Sequence, residues 1–145
     1  MMSWAKLLGR YVTAEPTSKA ELDNLRSIVT RSLQDAVAAG LSADARFVMA
    51  YDAARTLSLI LVRSEGYRPK SLGGHYNTFL ALQNADPIFT TLSTYFDGCR
   101  MKRNGCEYDF AGGVSDTDAD GLLKAVQQFK VDAEAWMKIH HPNLV

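Results

Sequence analysis

The sequence has little of what would make a β-protein, a disulfide-stapled protein or a membrane protein. No run of residues alternates convincingly between apolar and polar, and no Asn-Gly or Asp-Gly pair sits between such runs, which argues against hairpins and sheets. Only two cysteines occur, Cys99 and Cys106. Seven residues apart in a helical stretch, they would stand roughly 10 Å apart along the axis, too far for a disulfide, so both are expected as reduced thiols. The three histidines, His75, His140 and His141, show no ligand spacing with these cysteines, so neither a metal nor another cofactor is expected. No apolar stretch approaches the length of a membrane span, and the segment Met1 to Arg10 lacks the apolar run of a signal peptide. A cytoplasmic protein without membrane contact is the expectation. Sixteen basic residues balance sixteen acidic ones, so no overall field draws the chain to nucleic acid or to an anionic surface, and any anion site must be local.

What is present is helical. The length of 145 residues and an apolar content of 47% suit one packed domain over 1–145, an all-α compact up-and-down bundle of four to five helices. Ser18 and Glu21 read as a capping box opening a first helix, with Leu22, Leu25, Val29, Leu33 and Ala36 on one stripe and Gly40 as its close. Ser42 caps a second helix whose stripe of Phe47, Ala50, Tyr51, Ala54, Leu57 and Leu61 is widened by Val48, Leu59, Ile60 and Val62. A helix apolar on most sides belongs at the centre. It ends at Gly66, Tyr67, Arg68 and Pro69, and a loop leads to Gly74. A short third helix starts near His75 and carries Tyr76, Phe79, Leu80 and Leu82. Asp86 and Pro87 then open a fourth, with Ile88, Leu92, Tyr95, Phe96 and Cys99 inward. Gly112 and Gly113 interrupt the chain before Ser115 and Asp118, a second capping box, and the last helix turns Leu122, Leu123, Val126, Phe129, Ala133, Trp136 and Met137 inward. Residues 138–145, with His140 and His141, read as a frayed, solvated tail. Trp4, Leu7, Leu8 and Tyr11 mark residues 1–14 as a short amphipathic segment that docks on the bundle.

One stretch stands out, Arg100-Met101-Lys102-Arg103-Asn104-Gly105-Cys106-Glu107-Tyr108. If the fourth helix continues through residue 108, Arg100, Asn104 and Tyr108 recur every four residues and share a face, with Arg103 on its flank. Two guanidinium forks suit a phosphate, an amide suits a base or a sugar hydroxyl, and a phenol can stack or donate a hydrogen bond. The competing explanation is electrostatic, because cations near a helix C-terminus are favoured with no ligand at all. Asp52 and Arg55, three apart on the central helix, read as partners of each other or of a neighbour.

The arrangement resembles the HEPN domains, the higher eukaryotes and prokaryotes nucleotide-binding family of small helical bundles. The resemblance covers most of the chain: the central helix from Phe47 through Tyr51 to Arg55, the Gly73-Gly74-His75-Tyr76 start of the third helix, Arg100 to Asn104, and the closing helix after Ser115. It implies a homodimer that binds RNA or a nucleotide through Arg100, Arg103, Asn104 and Tyr108, in a toxin-antitoxin or defence setting beside a small nucleotidyltransferase-type antitoxin. Many members carry an arginine, a few variable residues and then a histidine, and two such motifs form a ribonuclease site. Here Tyr108 stands where that histidine would follow Arg103. A phenol with an ordinary pKa of about 10 is a poor general base near neutral pH, so the departure favours binding over cleavage. A metal-independent endoribonuclease using Arg100, Arg103 and Tyr108 is the alternative, with His75 approaching from the third helix as a further candidate. A plain helical interaction module is the third reading.

Overall fold

In the computed structural model, which describes residues 3–105 and 113–145, the chain is an all-α bundle with one small sheet. A one-turn helix α1 (Trp4–Leu7) leads into a three-residue strand β1 (Val12–Ala14). Helices α2 (Lys19–Ala36) and α3 (Ala43–Ser64) follow, then strand β2 (Tyr67–Pro69), α4 (Gly74–Ala85), a 3₁₀ turn over Pro87–Phe89, α5 (Thr90–Asn104), α6 (Asp116–His140) and a final 3₁₀ turn over Pro142–Leu144. The starts follow from side-chain caps. Ser18, Ser42 and Ser115 each accept a hydrogen bond from the backbone N–H three residues on, which satisfies donors that a helix start leaves orphaned. Asp118 returns the bond to Ser115, completing a capping box. Asp86 caps the turn at Pro87 through Ile88 N–H.

Helix α3 is the hub. It packs along α2 on one side and α6 on another, with α4 and α5 against its remaining flank. Its apolar circumference explains this, since Phe47, Ala50, Tyr51, Ala54, Leu57, Ile60 and Leu61 are all buried. The core continues through Phe79, Phe96 and Phe129, whose rings meet in sequence in tilted contacts at centroid separations of 5.8 and 5.5 Å, and on to Phe89 and Trp136.

The strands correct the expectation that the chain is free of β-structure and that residues after Gly66 form a plain loop. Val12, Thr13 and Ala14 pair antiparallel with Pro69, Arg68 and Tyr67. Each strand is too short to show a period, and the partners lie more than fifty residues apart in sequence, so only the tertiary fold creates the pair. The sheet holds the N-terminal segment, whose Leu7 and Val12 are buried against Val62 and Ala81 while Trp4 stacks on Tyr67 at 4.2 Å. Beneath it lies Arg63, which is 1% exposed. Its guanidinium donates to both carboxylate oxygens of Glu21, at 2.6 and 3.2 Å, and to the carbonyls of Glu15, Pro16 and Tyr67.

Further expectations differ from the structure, among them Tyr95, expected inward and 40% exposed. Helix α2 stops at Ala36, four residues before Gly40, which takes its left-handed φ of 83° within the connection instead. Ile88, expected inward, is 70% exposed, because the 3₁₀ turn rotates Phe89 into the core in its place. The C-terminal residues are docked rather than frayed: Arg26 donates to the Leu144 carbonyl at 2.8 Å, His141 Nε2 lies 3.0 Å from Glu65, and His140 stacks on Trp136. Among the described residues no helix is long and apolar enough to cross a membrane. Cys106, Tyr108 and Gly112 lie outside the described residues, as does any continuation of α5 beyond Gly105.

Candidate functional site

Helices α3, α4 and α5 converge where the polar end of α5 begins. Tyr51 of α3 is wholly buried, and a buried phenol must find a partner for its hydroxyl. That partner is His75, in the first turn of α4, with Oη and Nδ1 3.0 Å apart. Gly73, left-handed at φ 70°, turns the chain into α4 and so sets the imidazole over Tyr51. From α5, the Arg103 guanidinium lies over the Tyr51 ring at 5.6 Å, and the Arg100 guanidinium lies over the Tyr76 ring at 5.8 Å. Arg100 is further fixed by Asp97, one turn earlier, at 2.7 Å. Asn104 Oδ1 stands 3.5 Å from Arg103.

The electrostatics are those of a local cationic field. Burial pushes the His75 imidazole down to about 4, and the nearby Arg55, Arg103 and Arg100 push the same way, so the ring is neutral at physiological pH. Burial raises the Tyr51 phenol well above its ordinary value despite the opposing pull of Arg103, Arg55 and Arg100, so it stays protonated. Arg55, one helical turn after Tyr51, sends its guanidinium into the same region. Its Nε is buried and has no hydrogen-bond partner among the described residues. A buried donor left without an acceptor costs about 1–3 kcal/mol, more when it is charged, and an anion bound from solution would remove that cost.

Four residues picked from the sequence thus come together: Arg100, Arg103, Asn104 and His75. Tyr108 lies outside the described residues. Three others were assigned elsewhere by sequence reasoning. Tyr51 reads as a core residue and is one, but its hydroxyl is the signal that it needs a polar partner. Arg55 follows it at i+4, on the same face. Tyr76 reads as part of the apolar face of α4 and is instead 42% exposed beneath Arg100. Among the described residues no group of three or more His, Cys, Asp or Glu side chains could hold a metal ion. Cys99 is buried at the base of α5, its thiol pushed up to about 11 by burial, which makes it a poor nucleophile. Compared with protein-family models, with curated proteins and with solved structures, the chain matches none.

Proposed function

We propose that the cluster of Arg55, Arg100 and Arg103 around His75 binds the phosphates of an RNA strand or nucleotide. The observation that carries this reading is Arg55 Nε, a buried cationic donor lacking a partner among the described residues, beside two more guanidinium groups and an imidazole held neutral. Such a set suits an anion, because each fork can donate two parallel hydrogen bonds to phosphate oxygens and the neutral ring adds a further donor. Asn104 and Tyr108 would complete the contact surface. The resemblance to HEPN domains points the same way, toward a homodimer acting with a nucleotidyltransferase-type antitoxin in toxin-antitoxin or defence systems.

A second reading, metal-independent RNA cleavage, is favoured by the position of His75. An imidazole reaches the arginines from α4 although none follows Arg103 in sequence, so a hydrogen-bond donor to a scissile phosphate is available where the motif lacks its histidine.

The test is binding of labelled single-stranded RNA by the full chain, with chelator present, across a range of salt. The expected result is affinity that falls steeply with salt and is lost in Arg100→Ala with Arg103→Ala. Cleavage in the same tubes that disappears in His75→Gln supports the second reading. If the wild-type protein binds no RNA and the double variant dissociates a dimer, the bundle is an interaction module.

A further inference from the structure

A groove between α4 and α5 opens beside the arginine cluster. Its volume is about 390 Å³, within the range of roughly 300–1,000 Å³ typical of small-molecule sites. The groove exists because α5 carries small residues where it faces α4. Gly98 has no side chain, and a Cβ built there meets nothing within 4 Å. Two polarisable side chains line the groove while remaining well exposed, Tyr76 at 42% and Met101 at 59%. Buried Phe79 lines it as well.

Polar groups there are few and mostly neutral. Asp97, the one carboxylate in the lining among the described residues, is already tied to Arg100. Gln83 offers an amide. Ser93 is 4% exposed, and its hydroxyl has no partner among the described residues, so even the common outlet for a helical serine, the carbonyl four residues back, is not taken. Arg100 joins the two regions, since it lies over Tyr76 on the groove wall and is bonded to Asp97 in its lining.

We propose that the α4–α5 groove is a nucleobase subsite that receives the base attached to a phosphate held by Arg100. This rests on the reading of the arginine cluster as a phosphate site. A planar, neutral heteroaromatic ring matches the lining: its faces meet an aromatic ring and a thioether, and its edge carries both donors and acceptors for the Gln83 amide and the Ser93 hydroxyl. Base–aromatic contact tolerates any base, so selectivity falls to the polar edge.

The experiment titrates the full chain with ribose 5-phosphate and with the four nucleoside 5′-monophosphates, using calorimetry and amide NMR shifts. The expected result is at least tenfold tighter binding of one or more nucleoside monophosphates than of ribose 5-phosphate. Gly98→Leu fills the groove and favours helix, and it is expected to erase that advantage while leaving ribose 5-phosphate binding unchanged. Met101→Ala, at an exposed position, should reduce the advantage severalfold and serves if Gly98→Leu does not fold. Equal binding of the two probe types, or an advantage that survives both substitutions, overturns the subsite and leaves the phosphate reading intact. Failure of every probe to bind overturns both.

Discussion

The phenol of Tyr51 and the imidazole of His75 meet at 3.0 Å, Oη to Nδ1, between the central helix α3 and the first turn of α4. The phenol is the donor. Burial keeps it protonated, and an imidazole nitrogen is a far better acceptor than a phenol oxygen. With Nδ1 accepting, the proton of the neutral ring sits on Nε2, which makes His75 a hydrogen-bond donor toward solvent or a bound anion.

NMR of the imidazole nitrogens should therefore report the Nε2–H tautomer and a titration near 4 rather than 6.5. Tyr51→Phe removes the bond at a cost of about 0.5–1.5 kcal/mol in unfolding free energy and releases the tautomer preference. Unchanged tautomer populations in that variant would refute the assignment.

The same pair fixes a pH dependence of stability. His75 titrates lower in the folded protein than in the unfolded chain, so between about 4 and 6.5 the unfolded state holds more protons. Its stabilising contribution is complete above 6.5 and is lost as pH falls toward 4. Thermal midpoints of the wild type should drop across that window, and those of His75→Gln should drop less. The groups that set the shift are Arg55 from α3 and Arg103 and Arg100 from α5, after burial itself. Parallel curves for the two proteins would remove His75 from the account.

Arg55 separates binding from stability. Its buried Nε lacks a partner among the described residues, and it stands in the same field as two other arginines. Arg55→Met keeps the apolar stem and removes both the charge and the orphaned donor. The expected outcome is a midpoint in denaturant equal to or above that of the wild type, with weaker RNA binding and a smaller dependence on salt. A large loss of stability would show that Arg55 holds the fold together rather than a ligand.

Much of the fold was readable because its signals are local. Ser18, Ser42, Asp86 and Ser115 announce helix starts within four residues of sequence, and Phe47 to Leu61 announces a central helix by its own periodicity. The β1–β2 pair and the docking of Leu144 on Arg26 depend on segments far apart in the chain, which no window of sequence contains. The candidate site divides along the same line. Arg100 and Arg103 belong to one helix end, so their proximity follows from spacing. The approach of Arg55, His75 and Tyr76 to them depends on how α3, α4 and α5 pack. Tyr76 was misassigned for a related reason: a tyrosine at an apolar position of a helix face is indistinguishable in sequence from one lying under a guanidinium.

Arg63 carries a final prediction. It is 1% exposed and donates to Glu21 and to three carbonyls, joining α3 to α2, to the stretch before α2 and to β2. Its hydrogen bond is the leading cause that pulls the Glu21 carboxyl below its ordinary value, so that part of the stabilisation is present above pH 4.5 and lost on acidification. Arg63→Met leaves three carbonyls without their donor and Glu21 without its fork. Breaking a buried pair in this way costs about 3–5 kcal/mol, and the lower end applies because the Glu21 side chain keeps a third of its exposure and can be solvated. Arg63→Lys should recover little of the loss, since one ammonium offers three donors from a single point and cannot span a carboxylate and carbonyls on different sides. Denaturant unfolding of the three proteins checks this, together with hydrogen exchange at Val12 to Ala14. The exchange is expected to rise in both variants, because Arg63 anchors the backbone on either side of the sheet. Wild-type stability in Arg63→Lys would mean that charge alone, not the planar fork, holds this junction.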